Sequence, residues 1–229
     1  MEQISCQKQA NLYSFFVLTL FAAEYKALCL EAEHFETEAW AAAEILKHEQ
    51  FPTFLVVDAC TGTGILSEAA RAVGHETVAI DKIDWGYDDT WVQDWLKLNA
   101  YQFQLDIAHK RFSVFMNPPF TLAEEFVEQA LALGAEKVIC FQRLPWYESE
   151  DRQAFWDRVP CTKIYVCGNR VTCWRNDISP EERKARSGSS TAYAFYVFEP
   201  GTSQKHPTAH RIYKPKQPKK APSNVQKRK

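Results

Sequence analysis

FLVVDACTGTGILSEAARAVG, residues 54–74, decides the fold. Its first six residues form a continuous apolar run up to Asp58 and Ala59, and its last ten place apolar residues at helical spacing and stop at Gly74. Between them DACTGTG, Asp58 to Gly64, is too rich in glycine to extend either element. A buried strand that passes through a glycine loop directly into a helix is the opening unit of a parallel α/β sheet. Such sheets bind their ligands at the carboxyl ends of the strands. The candidate ligand loop is therefore Asp58, Ala59, Cys60, Gly62 and Gly64.

The loop restricts the ligand. It lacks the third glycine of the dinucleotide fingerprint and the Gly-Lys-Ser/Thr of a phosphate loop, so a pyrophosphate cradle is disfavoured. Asp58 would repel a phosphate but could pair with an amino group. Asp81 ends the next apolar run, TVAID (77–81), where a carboxylate can accept from both ribose hydroxyls. An α-amino group and a ribose without a phosphate fit S-adenosylmethionine.

The same alternation continues along the chain. FSVFM (112–116), KVICF (137–141), TKIYVCG (162–168) and TAYAFYVFE (191–199) read as strands. DTWVQDWLKL (89–98), LAEEFVEQALALG (122–134) and SEDRQAFWDRV (149–159) read as helices. The last two strands have no helix between them, so one of the two is expected to run antiparallel. The connecting WRNDISPEERKARSGSSTA (174–192) has the composition of a mobile loop.

One strand ends at a second chemical signal, Asn117-Pro118-Pro119-Phe120. Two prolines remove two backbone donors and fix two φ angles, so neither strand nor helix continues through them. Asn117 offers an amide with donor and acceptor atoms, and Phe120 offers a flat apolar face. Taken alone, the stretch reads equally well as a turn that anchors a helix.

With 229 residues, 46% hydrophobic and 14% aromatic, one well-filled domain is expected. The seven cysteines show no Cys-x-x-Cys spacing and the six histidines no ligand spacing, so no metal site is expected and the thiols read as reduced and cytosolic. YSFFVLTLFAA (13–23) is too short for a membrane span, which needs roughly 20 residues, and reads as a buried helix of a soluble cytoplasmic protein. Charge is segregated: residues 205–229 hold nine of the 27 Lys and Arg and none of the 29 acidic residues, leaving 18 basic against 29 acidic elsewhere. That segment reads as an extended, solvated arm, suited either to a phosphate backbone or simply to solubility.

DACTGTG, AIDK (79–82) and NPPF, in that order, resemble the S-adenosylmethionine-dependent amino-methyltransferases, above all the bacteriophage and prophage type of DNA adenine-N6 methyltransferase. HFETEAW (34–40), GYDDTWVQDWL (86–96), FQRLPWYESEDRQAFW (141–156), VCGNRVTCW (166–174) and TAYAFYVFEP extend the resemblance over residues 34–200. It implies a Rossmann-like class I methyltransferase fold: a mostly parallel sheet flanked by helices, with an antiparallel strand near the C-terminus. The implied organisation is an N-terminal helical segment (1–33), a methyltransferase domain (34–204) and a basic tail (205–229). The implied cofactor residues are Thr37, Asp58, Ala59, Cys60, Gly62, Gly64, Asp81 and an acidic residue for the adenine, Asp94 or its competitor Asp106. Where the family has Thr-Pro, this chain has Thr37-Glu38. The implied acceptor residues are Asn117, Pro118, Pro119 and Phe120, the first two accepting the amino hydrogens and Phe120 stacking on the base.

Cys60 lies outside a Pro-Cys context and is not read as the thiol of a cytosine-C5 enzyme. Arg143, Trp146, Glu148, Arg152 and Arg170 also match family positions, where an ion-pair network competes with a functional role. The implied partner is nucleic acid, DNA foremost, with no metal. An RNA or protein-glutamine acceptor, or an inactive cofactor-binding module, remains the alternative.

Overall fold

The computed structural model describes residues 35–175, 182, 191–204 and 206–216. The N-terminal segment read as helical, most of the loop after Arg175 and residues 217–229 lie outside the described residues. Ten strands and five α-helices follow in the order β1 (Phe35–Glu36), α1 (Ala39–His48), β2 (Leu55–Asp58), α2 (Ile65–Ala72), β3 (Glu76–Asp81), β4 (Trp91–Val92), α3 (Ala100–Asp106), β5 (Phe112–Met116), α4 (Ala123–Ala132), β6 (Val138–Arg143), α5 (Gln153–Arg158), β7 (Cys161–Cys167), β8 (Trp174–Arg175), β9 (Tyr193–Phe198) and β10 (Thr208–Ile212).

Eight of the strands form one sheet in the order β10-β7-β9-β6-β5-β2-β3-β4, while β1 pairs with β8 separately. Within the large sheet only β9 runs against its neighbours, antiparallel to both β6 and β7. The central strands are apolar without alternation because both faces are covered. Leu55, Val57, Val114, Met116 and Val138 pack into one buried cluster with Phe103, Phe126 and Phe155 from α3, α4 and α5. The residues between them, Val56, Phe115 and Ile139, pack on the other face with Ile45 of α1 and Leu66 of α2. The period of two along each strand sends successive side chains into different layers.

Two expectations change. Residues 89–98 do not form a helix: Trp91 pairs with Ile80 as the short strand β4, and Trp95–Lys97 form a single 3-10 turn. The Asp94 carboxylate caps that turn at the Leu96 N–H, and Asn99 caps the unforeseen α3 at the Tyr101 and Gln102 N–H groups. Two capping side chains so close together divide one helical pattern into two short elements. The second change lies in the stretch read as a solvated arm, where Thr208–Ile212 form β10, parallel to β7 from Thr208↔Lys163 to Ile212↔Cys167. Of its five residues only Ile212 is buried, so composition gave no signal for an element held by backbone pairing.

At the amino-terminal rim of the sheet, buried Glu49 accepts from Lys137 Nζ at 2.6 Å, Lys163 Nζ at 2.8 Å and the Tyr165 hydroxyl at 2.6 Å. Burial pushes the Glu49 carboxyl up, and its hydrogen bonds to Lys137, Lys163 and Tyr165 outweigh that and leave it below its ordinary value. Lys137 is itself buried and also faces Glu199 at 3.1 Å. Breaking a buried pair strands a charge in a medium that solvates it poorly. Glu49→Gln is expected to lower stability by about 3 kcal/mol in urea denaturation, because Lys137 loses its shorter partner.

Candidate active site

The carboxyl ends of β2, β3 and β5 meet at one cleft of about 280 Å³. Loop 59–64 is fixed to the next strand: the Thr61 N–H donates to the Ile80 carbonyl at 3.2 Å, and the Gly62 N–H donates to Asp81 Oδ2 at 3.0 Å. Asp81 Oδ1 accepts from the Ile83 N–H at 3.0 Å and from Trp85 Nε1 at 3.2 Å. A loop amide that a phosphate would need is thus directed at a carboxylate. Gly64 opens α2 at φ +87°, and a Cβ there would meet the Tyr87 ring at 2.2 Å. Only glycine meets both demands at once.

Asp58 lies behind the loop, 1% exposed. Its Oδ2 accepts from the Ser67 N–H at 3.1 Å and the Ser67 hydroxyl at 2.9 Å, and the Cys60 backbone also contributes to holding the carboxyl. Burial pushes the carboxyl up to about 7, against the pull of the Ser67 hydroxyl and with a further push from Asp81. Cys60 is held well above an ordinary thiol, by burial first and then by Asp81 and Asp58. That favours the neutral thiol.

On the acceptor side, β5 ends at Met116 and the Pro119 carbonyl accepts from the Leu122 N–H at 3.0 Å, at the start of α4. Asn117 Nδ2 donates to Thr37 Oγ1 at 3.0 Å across 80 residues of sequence. Thr37 belongs to a strap over the cleft. On one side of it Glu36 accepts from the Thr63 hydroxyl at 2.7 Å, and on the other Glu38 accepts from the Thr172 N–H at 3.2 Å. Glu38, which stands where the resemblance has proline, also lies 3.7 Å from Lys214. The departure from Thr-Pro therefore replaces a stiff backbone with side-chain anchors.

The structure brings Thr37, Ala59, Cys60, Gly62, Asp81, Asp94, Asn117 and Pro119 to the cleft wall. Asp58, Gly64, Pro118 and Phe120 are set back from it. Phe120 is half-buried, with the Arg143 guanidinium 4.0 Å over its ring. Asp94 and Asp106 separate clearly: Asp94 lines the cleft, whereas Asp106 lies in a different depression and accepts from Gln102 Nε2. Arg152 pairs with Glu124 at 2.9 Å, the structural role that sequence left open. Sequence reasoning missed Glu36, Lys82 and Trp85 on the cleft wall. For the last two the available signal was their place directly after Asp81. Among the described residues the wall carries the carboxylates Glu36, Asp81 and Asp94 and the cation Lys82, with Lys97 3.4 Å from Asp94, an acidic excess that suits a cationic or hydroxyl-rich ligand better than a phosphate. Among the described residues no cluster of His, Cys, Asp and Glu could hold a metal ion, and no helix is long and apolar enough to cross a membrane.

No family model matches the sequence, and no curated protein matches it. Among solved structures the chain is similar to a Pyrococcus horikoshii protein assigned as an RNA methyltransferase, with a TM-score of 0.50 and 16% identity, covering 76% of this chain and 97% of that one. The chain shares the Rossmann-like α/β fold of that structure, a mostly parallel sheet with one antiparallel strand. Further similar structures are an Agrobacterium tumefaciens protein described as a predicted O-methyltransferase, at TM-score 0.45 and 14% identity over 78% of this chain and 85% of that one, and a modification subunit of a type I restriction enzyme assigned in Vibrio vulnificus. The latter has a TM-score of 0.48 and 11% identity, and the match spans 85% of this chain and 51% of that one.

The state of Asp58 has a measurable consequence. Its carboxyl is raised from 3.8 to about 7 in the folded chain. Its stabilising contribution is therefore complete below about pH 4 and is lost as pH rises toward 7, because there the unfolded chain ionises freely and the folded chain does not. Groups lowered by folding, such as Glu49, act in the opposite direction, so the readout is a difference. The stability of Asp58→Asn relative to the parent is expected to rise with pH between about 4 and 7 in parallel melting series.

Proposed function

We propose that the chain is an S-adenosylmethionine-dependent methyltransferase acting on the exocyclic N6 amine of adenine in DNA. One observation carries the reading: the Asn117-Pro-Pro turn opens into the same cleft as Asp81 and Asp94, and Thr37 joins the two halves. The carboxylate-lined wall fits a ligand with an ammonium group and ribose hydroxyls. In this assignment Asp81 faces the ribose hydroxyls and Asp94 the adenine, while Asp58, set behind the loop, acts on the amino group only through the loop that it anchors to α2 at Ser67. The cofactor supplies an electrophilic sulfonium methyl.

The chain's own residues do the remaining work by orientation. An exocyclic amine is a poor nucleophile because its lone pair is delocalised into the ring. Acceptors placed against its two hydrogens favour a tetrahedral nitrogen with the lone pair directed outward. The Asn117 Oδ1 and the Pro118 carbonyl take that role. Thr37 holds Asn117 Nδ2 and thereby fixes which way Oδ1 faces. Phe120 stacks on the base, which must leave the helix or be unpaired beforehand to reach it.

β10 supports nucleic acid as the partner. Because it runs parallel to β7, its carboxyl end points to the rim that carries the cleft, and exposed Lys214 and Lys216 follow directly. Five more cations come after them, Lys219, Lys220, Lys227, Arg228 and Lys229.

The deciding experiment is transfer from labelled S-adenosylmethionine to DNA, RNA and protein, followed by nucleoside analysis. N6-methyladenine in DNA is expected, and a label only in RNA or glutamine replaces the acceptor. Asn117→Ala is expected to lower kcat by at least about a hundredfold with cofactor affinity nearly intact. Asp81→Ala should weaken cofactor binding about tenfold to a hundredfold in calorimetry, as the loss of charged hydrogen bonds implies. Near-normal turnover by Asn117→Ala would refute its assignment. Ending the chain after Lys216 keeps β10 and removes the five distal cations; the slope of log affinity against log salt should shrink by as much as about 4. An unchanged slope assigns the tail to solubility.

A further inference from the structure

One face of the Phe120 ring is already occupied. The Arg143 guanidinium carbon lies 4.0 Å from the ring centroid, which is stacking distance, so no planar group fits between them in this arrangement. Arg143 is the last residue of β6, and its backbone is held in register opposite Tyr193 of β9. The Tyr193 hydroxyl is hydrogen-bonded with Arg143 and Cys173, and its ring lies 6.0 Å from Phe120 and stacks on Phe141 at 5.1 Å. The root of Arg143 is thus held by the sheet, while its side chain, in a residue that is exposed as a whole, is tethered at the guanidinium by the Tyr193 hydroxyl.

We propose that Arg143 forms the outer layer of the acceptor site. Its guanidinium fills the stacking slot on Phe120 until a nucleobase enters, and then stacks on the outer face of that base. The base lies between Phe120 and Arg143. This rests on the reading of Phe120 as the surface for the acceptor base. A guanidinium suits the role because it is planar, weakly hydrated and able to stack on either an aromatic ring or a base. Filling the slot also keeps water off the Phe120 face, so the arriving base exchanges one stacked layer for another. An aliphatic ammonium has the charge and lacks the plane.

The test compares Arg143→Ala, Arg143→Gln and Arg143→Lys for kcat, for KM toward an adenine-containing oligonucleotide and for cofactor affinity. Quenching of 2-aminopurine placed at the target position reports stacking without methyl transfer. Arg143→Ala is expected to raise KM for the oligonucleotide about tenfold to a hundredfold, to leave cofactor affinity unchanged and to reduce the quenching. Arg143→Gln, which keeps a plane, should retain more than Arg143→Lys. An Arg143→Ala variant with parental KM and quenching overturns the proposal and leaves the methyltransferase reading intact. Better rescue by lysine than by glutamine overturns it in favour of a phosphate contact. A parent protein that neither methylates nor quenches any oligonucleotide overturns both.

Discussion

The Asp81 carboxylate holds the cleft together. It takes the Gly62 N–H from the loop before it and the Ile83 N–H and Trp85 indole from the segment after it. Two loops that are separate in sequence thereby become one wall. Carboxylate oxygens have about four lone-pair directions between them, and three are engaged here. A ribose diol that binds this carboxylate must therefore share it with groups that position the loop. Ligand binding and loop geometry are coupled through one side chain, so the wall is preformed.

The two rims of the sheet have different tasks. At the amino-terminal rim, Glu49 joins Lys137, Lys163 and Tyr165 in a network whose charges compensate each other within the core. At the carboxyl-terminal rim the described cleft wall is richer in carboxylates: Glu36, Asp81 and Asp94 line it with Lys82, Lys97 lies 3.4 Å from Asp94, and burial pushes the Asp58 carboxyl up to about 7. A cleft wall with an excess of one sign of charge favours a ligand of the opposite sign. The antiparallel β9 connects the two rims, entering the sheet at Tyr193 beside Phe120 and ending near Glu199 and Lys137.

Much of this was legible in the sequence because it follows from period and punctuation. Strands buried on both faces are unbroken apolar runs, and Gly62, Gly64 and Pro118-Pro119 interrupt them where the chain turns at the cleft. The unreadable parts rest on pairing and on distant partners. β10 is nearly all exposed, so backbone hydrogen bonds to β7 leave no trace in its composition. Residues 89–98 show helical spacing, but Trp91 is drawn to the edge of β3 and Asp94 caps the turn that follows. The Thr37–Asn117 hydrogen bond spans 80 positions and has no local signature. Asp58 and Phe120 were found by motif, yet whether they face the cleft or stand behind it depends on packing.

The fit between Gly64 and Tyr87 constrains how this sequence can diverge. The Tyr87 ring fills the volume that any side chain at position 64 would need, and its hydroxyl donates to Glu68 on the helix that Gly64 opens. Shrinking residue 87 would make room at position 64 but would not relax the left-handed backbone there, so Gly64 has no substitution free of strain. Drift should therefore reach the rest of loop 59–64 well before it reaches this corner.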